Sequence, residues 1–300
     1  SAEIGGNEGN PGVLLDGVAD VNLKWEKTAQ ISAGIDFGFL KDRITGSLDY
    51  YKKNSIDLIL NKPLAPSLGV SAITTNIGEV ENSGYELILN SINVQTEDFS
   101  WKTNLNLSKN DNKIIKLVTE KPIIRGIQQW EVGKSLYEFF IPEWAGVDPA
   151  DGAAMWYKDD LDTNGNVIGR STTKVYADGT RGYHGSSLPD FEGGFTSYMK
   201  YKNFDLNLIF NFSVGGQILD SDYSSLMNGF SSPGSNAHPD NLQRWQNPGD
   251  VTDVPKLVIG NNSDSSTSTR FLYDNDYLRL KSLTLGYNLP SDMVKNIGFS

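Results

Sequence analysis

Few residues in this sequence have the types and spacing that chemistry needs. Asp160, Asp162, Asn164 and Gly165 read D-x-D-x-N-G, the opening of a calcium loop, in which oxygen ligands at every second position converge on a hard cation. The position that should close such a loop with a bidentate Glu holds Ser171, so the signal is weak, and a polar loop tip built on Asx-turns is the plainer reading. His184 and His238 are the only histidines; they lie far apart and form no metal pair. The run His184-Gly185-Ser186-Ser187 is not a nucleophile elbow. Carboxylates are plentiful, yet no spacing brings two together for glycoside hydrolysis. The sequence therefore names no catalytic residue, no enzyme activity is expected, and calcium is the sole cofactor with any signal.

Aromatic residues are the other candidates. Trp130, Trp144, Trp156 and Tyr157 fall in a long polar stretch around 116–190, and Trp245 falls in another. Exposed rings can stack on sugars or press against a partner protein. The alternative is that they pack the loops together, since loops of this length need small cores of their own.

Composition narrows the class. Net charge is −11, with no basic run beyond the isolated pair Lys52 and Lys53, which excludes nucleic acid as a partner because phosphate binding needs clustered Lys and Arg. The absence of cysteine excludes disulfides and thiolate metal sites. Hydrophobic residues make up 38% and charged residues 21%, so much of the chain is uncharged and polar, as in a protein with one apolar and one polar face. No run of about 18 apolar residues exists, so no transmembrane helix is expected. Ser1 to Gly12 reads as a loop without signal-peptide character, and the chain is expected to begin inside a longer precursor.

Period-2 alternation dominates. Ile31, Ala33, Ile35 and Phe37 share one face against Ser32, Gly34 and Asp36; Ile44, Gly46, Leu48 and Tyr50 follow against Thr45, Ser47, Asp49 and Tyr51. A second hairpin carries Tyr85, Leu87 and Leu89, although Ile88 interrupts its polar face, and then Phe99, Trp101, Leu105 and Leu107 against Asn104, Asn106 and Ser108. A third turns near Lys202 and Asn203 and returns with Phe204, Leu206, Leu208, Phe210 and Phe212. Tyr277 to Leu289 makes a further strand, for about seven in all.

A soluble β-sandwich also alternates. Three features favour a membrane barrel instead. Several segments keep the pattern for about 10 residues, enough to cross a bilayer at a tilt. Short turns near 39–42, 91–98 and 201–203 alternate with long connections over roughly 53–72, 110–190 and 214–270, as short periplasmic turns alternate with long extracellular loops. Phe37, Phe39, Phe99, Trp101, Tyr201, Phe204 and Tyr287 gather beside the short turns like an interfacial girdle. The fold class expected is therefore all-β, an antiparallel transmembrane β-barrel segment with long extracellular loops. Ile31, Ile35, Leu48, Leu105, Leu208 and Phe210 would face lipid, while Asp36, Asp49 and Arg43 would join a hydrogen-bonded network in the lumen. An odd number of strands cannot close a bacterial barrel, so partner strands are expected from sequence beyond this chain.

Seven runs stand in one order along nearly the whole chain: NLKWEKTAQISAGIDFGFLKDRITGSLDYYKK (22–53), NIGEVENSGYELIL (76–89), AGVDPADG (145–152), GSSLPDFEGGF (185–195), NFDLNLIFNFSVGGQILD (203–220), RWQNPGDVTDVPKL (244–257) and YLRLKSLTLGYNLP (277–290). Together they resemble the SusC/RagA family of TonB-dependent outer-membrane transporters. That resemblance implies a barrel of about 22 strands with an N-terminal plug, in the bacterial outer membrane. It implies a SusD-like surface lipoprotein over the mouth, power from the TonB complex, and an oligosaccharide or sometimes a peptide as cargo. Residues 1–300 would be part of one C-terminal β-barrel domain, with the plug, the TonB box and the final strands outside this chain. Two other functions are consistent with the pattern: a soluble β-rich protein that binds or cleaves glycans, separable by its solubility in buffer, and a surface barrel or adhesin that transports nothing.

Overall fold

A computed structural model describes residues 20–76, 78–117, 121–228, 234, 236–258, 260 and 263–290. The loop expected over Ser1–Gly12 lies outside the described residues.

Seven long strands form one antiparallel sheet in chain order: β1 (Lys27–Phe39), β2 (Ile44–Ile56), β3 (Gly78–Gln95), β4 (Phe99–Leu117), β5 (Phe191–Tyr201), β6 (Phe204–Val214) and β7 (Tyr277–Tyr287). Each strand pairs only with its neighbours in sequence, so the sheet is an open up-and-down wall with β1 and β7 at its edges. The short connections at 40–43, 96–98 and 202–203 all lie at one end, and the long ones at the other. Leu40, Lys41 and Asp42 turn the first hairpin with three successive positive φ angles, and Lys202 turns the third at φ 51°.

Register carries the apolar face unbroken across the wall. Ile35 opposes Leu48, then Leu87, Leu107, Gly193, Phe212 and Leu278. Directly opposed residues of antiparallel strands share a face, so these side chains form one continuous band. Among the described residues no second layer covers it: Ile31 is 73% exposed, Ile35 67% and Leu283 61%. A sandwich would have buried these residues. Most buried apolar side chains lie instead among the long connections, where Ile141, Trp156 and Phe271 are fully enclosed; Val80 and Ile114, near the long-loop ends of β3 and β4, join them.

Bulges hold this band in phase. In β7 the register shifts so that Phe210 opposes Leu280 while Ile209 opposes Ser282, leaving Lys281 as the extra residue. Without it Leu280 and Leu283 would point to opposite faces; with it both join the apolar side. Asn93 plays the same part in β3 and brings Val94 opposite Trp101.

The structure departs from the sequence reading in two places. The second short turn is 96–98, because β3 continues past its bulge to Gln95, and β3 and β4 reach 18 and 19 residues. The long connections also carry structure. Ile59–Pro63 pairs with Ala72–Asn76, Gln217–Leu219 pairs with Leu272–Asp274, and residues 123–186 hold a four-stranded and a three-stranded sheet.

Candidate functional site

The polar face of the wall is the first candidate surface. Alternation puts Asn104, Asn106, Ser108, Asn110 and Asn112 of β4 on it. Their amides bond across strands: Asn104 Nδ2 donates to Asn90 at 2.8 Å, Asn112 Nδ2 donates to Asn82 at 2.8 Å, and the Tyr51 hydroxyl donates to Asn110 at 2.8 Å. The Asn112 carbonyl oxygen also accepts from Ser135 Oγ at 3.2 Å and Leu136 N at 2.9 Å, tying the large connection to the inside of the wall. The result is a row of uncharged donors and acceptors along β4, with Asp49, Glu86, Glu192 and Lys102 on the same face around it. Asp49 lies over Gly34, where an added Cβ would come within 2.1 Å of its carboxylate oxygen.

Arg43 does not join Asp36 or Asp49, contrary to the sequence expectation. Its guanidinium donates to the Ile92 carbonyl from Nε at 3.2 Å and Nη2 at 3.0 Å, and to the Asn93 carbonyl at 2.8 Å. The bulge at Asn93 turns these oxygens out of the ladder, and a planar fork of donors fits them.

The second candidate surface is the loop cluster, which separates the predicted aromatics. Trp156 is 1% exposed and sits edge-on to Trp144 and Tyr176, at 5.6 and 5.4 Å between centroids; its burial assigns it to the loop core. Trp144 is half-buried beneath the Arg270 guanidinium at 4.9 Å. Trp245 donates its indole N–H to the Pro149 carbonyl and rests on Gly152. Trp130 and Tyr157 are likewise half-buried, with Arg125 over Trp130 at 5.0 Å and Arg170 over Tyr157 at 4.0 Å. The five rings therefore form no single platform.

Asp160, Asp162 and Asn164 form the tip of the hairpin between Ala154–Leu161 and Val167–Thr173. Asp162 accepts from the amides of Asn164 and Asn166, both at 2.8 Å, and from Asn166 Nδ2 at 3.0 Å. These bonds, that to the Asn166 side chain first, hold its carboxyl below the usual range. Asp160 accepts from Ser171 Oγ at 2.6 Å, so the residue in the closing position bonds Asp160. Among the described residues no three acidic or histidine groups cluster as a metal site.

Several important contacts were not anticipated. Lys174 lies 2.5 Å from Asp148 and 3.0 Å from Asp151, and its hydrogen bonds hold both carboxyls below their ordinary range. The Tyr183 hydroxyl donates to Glu131 at 2.7 Å; burial first, then that carboxylate, pushes the phenol up to about 12. Tyr223 donates to Asp240 at 2.8 Å beside the edge-on His238 ring. The sequence reading followed the asparagine face from Asn104 to Ser108 and placed Asn110 and Asn112 in a loop, although the alternation continues to them; no spacing marks Lys174 or Arg270.

The predicted lipid-facing residues all lie on the apolar face. Ile31, Ile35 and Leu48 are exposed, and Leu105, Leu208 and Phe210 are half-covered by neighbouring strands alone. Phe99, Tyr201, Phe204 and Tyr287 follow one another in register at the short-turn end, and the Phe204 and Tyr287 rings stand 4.6 Å apart.

Residues 3–114 match the family described as TonB dependent receptor-like, beta-barrel. TonB-dependent receptor P3 of Formosa agariphila is 35% identical over 99% of this chain and 30% of its own length. TonB-dependent receptor SusC of Bacteroides thetaiotaomicron is 28% identical over 90% of this chain and 27% of its own. Among solved structures, the RagAB peptide transporter superposes with a TM-score of 0.77 at 27% identity, covering 97% of this chain and 32% of the matched one. The chain spans about 30% of the length of the first of these relatives.

Proposed function

We infer, from a chain that belongs to the TonB-dependent receptor β-barrel family and stands beside its SusC and RagA members, that it forms one side of an outer-membrane importer for a bulky polar nutrient. The carrying observation is the division of a seven-stranded wall into one apolar and one polar face, with every long connection at the same end. In this reading Ile31, Ile35, Leu48, Leu105, Leu208 and Phe210 meet lipid. Leaving such side chains in water costs roughly 1.5–3 kcal/mol each, which hydrocarbon removes. The asparagine face lines the path. Its paired amides suit uncharged polar cargo, to which they offer both donors and acceptors.

The cargo is an oligosaccharide or an oligopeptide. Likeness to SusC and to a structure described as a peptide transporter supports this class without choosing within it. Trp130 and Tyr157, half-buried beneath arginines rather than enclosed, are the proposed cargo or partner contacts in the loops; Trp156 and Trp245 hold the loops together. A plug, TonB and a SusD-like lipoprotein complete the machine, and residues 1–300 supply part of its C-terminal barrel.

Cells carrying the full-length protein test this. The protein should fractionate with outer membranes, and uptake of a fluorescent oligosaccharide or oligopeptide pool should require both it and TonB. Unchanged uptake after deletion of its gene, or recovery of the protein in buffer without detergent, rejects the reading.

A further inference from the structure

The outward face does not stay apolar to the top of the wall. Along β4 it runs Phe99, Trp101, Thr103, Leu105, Leu107 and then Lys109. Lys109 stands ten positions after Phe99, about 33 Å along the strand and about 25 Å along the membrane normal at a tilt of about 40°, which matches the apolar band of a membrane barrel. The face changes character where hydrocarbon should end. Tyr85 opposes Lys109 at this border, and the exposed Lys113 opposes Glu81 above it. Beyond the bulge at Ile115, the exposed Lys116 opposes Glu79 on the same side.

The acidic residues on this face do not absorb the charge. Lys52 takes Glu81 at 2.7 Å, and Lys109 reaches Asp111 only at 3.8 Å, with both of those side chains more than half exposed. Glu79 accepts from Asn54 at 3.4 Å. Among the described residues neither Lys113 nor Lys116 has an ion-pair partner. Lys113 and Lys116 thus make no ion pair among the described residues, and Lys109 holds Asp111 only loosely at 3.8 Å, all three beyond the apolar band on the long-loop side.

We propose that Lys109, Lys113 and Lys116 bind the phosphate groups of the outer-leaflet glycolipid. Long lysine stems lie along the apolar border and lift their ammonium groups to the headgroup plane, where anionic groups attract them. This rests on the outward face being the lipid face, as proposed above.

The test uses the full-length protein in detergent, with phosphorylated lipopolysaccharide, its dephosphorylated form or inorganic phosphate as the probe. The phosphorylated form should stay bound through washing and raise the melting temperature, less so at high salt; the other two should do neither. Changing Lys109, Lys113 and Lys116 together to Gln should weaken binding by at least about tenfold, while the triple change to Arg retains it. Lys41→Gln with Lys202→Gln, at the short-turn end, should have no effect. Equal binding of dephosphorylated lipid, equal stabilisation by inorganic phosphate, or full binding by the glutamine triple overturns the proposal. Should the glutamine triple fail to fold, Lys113→Gln alone, several-fold weaker or unchanged, decides. A protein soluble without detergent fails the importer reading itself, whereas an embedded protein indifferent to lipid phosphate fails only this proposal.

Discussion

The indole N–H of Trp245 donates to the carbonyl of Pro149 at 3.1 Å, joining two connections 96 residues apart. Gly249 N adds a second bond to the same carbonyl at 2.7 Å, and Lys256 N donates to Gly152 at 2.9 Å. Trp144 N donates to Thr269 and the Tyr176 hydroxyl to Thr267, so the two longest connections are fastened at several points.

Gly152→Ala should undo part of this fastening. Gly152 has φ +72°, and an added Cβ would lie 2.4 Å from the Trp245 ring. Gly165→Ala is the control: φ is +84° with nothing within 4 Å, so it should cost only the left-handed strain, about 1 kcal/mol. Limited proteolysis of the full-length protein should show faster cleavage between 244 and 257 for Gly152→Ala alone. Equal cleavage of the two variants would remove Trp245 from this role.

Arginine scanning checks the two faces. Ile35→Arg or Leu208→Arg should cost roughly 2–4 kcal/mol in refolding into lipid if the site lies near mid-bilayer. Ser32→Arg and Asn207→Arg, on the polar face, should cost little. Similar penalties on both faces would show that the apolar band does not meet hydrocarbon.

Arg43→Ala should destabilise the wall by about 1 kcal/mol, since the Ile92 and Asn93 carbonyls lose charged donors at an exposed site. Arg43→Lys should recover only part of this, because one ammonium cannot reproduce the planar fork. Denaturant unfolding in detergent measures both, and full rescue by lysine would contradict the bidentate account.

His184 should make the loop cluster acid-sensitive. Burial pushes its imidazole below the ordinary value, and its Nε2 is buried with no hydrogen-bond partner among the described residues. The fold therefore favours the neutral ring, and the unfolded chain binds more protons below about pH 6.5. Stability should thus fall as pH drops through that value and be insensitive to this group above it. His184→Gln should flatten the loss, as read by loop proteolysis between pH 5 and 8; parallel profiles for the two proteins would refute it.

Alternation revealed six of the seven long strands, the faces of Ile35, Leu48 and Leu208, and which connections are short; the strand before Lys202 was implied only by the hairpin turn. It did so because a membrane wall is patterned residue by residue, with no tertiary layer to obscure the period. It failed where the period slips. The bulges at Asn93, Ile115 and Lys281 have no local signature, so β3 and β4 were read too short. The loop chemistry was the least legible. Trp156 and Tyr157 are adjacent, but one is enclosed and the other partly open, and that difference depends on Tyr176 and Trp144 arriving from elsewhere in the chain. Asp160 and Asp162 read as ligands, although an oxygen that serves a backbone amide has the same spacing as one that serves a cation.

β3 and β4 are long enough to matter beyond the membrane. A strand of 19 residues spans about 60 Å, and tilted by about 40° it rises some 45 Å, roughly 20 Å more than a bilayer's hydrocarbon needs. That surplus carries the strands up through the headgroup layer proposed for Lys109, Lys113 and Lys116, so the fastened loops stand on paired strands rather than on lipid.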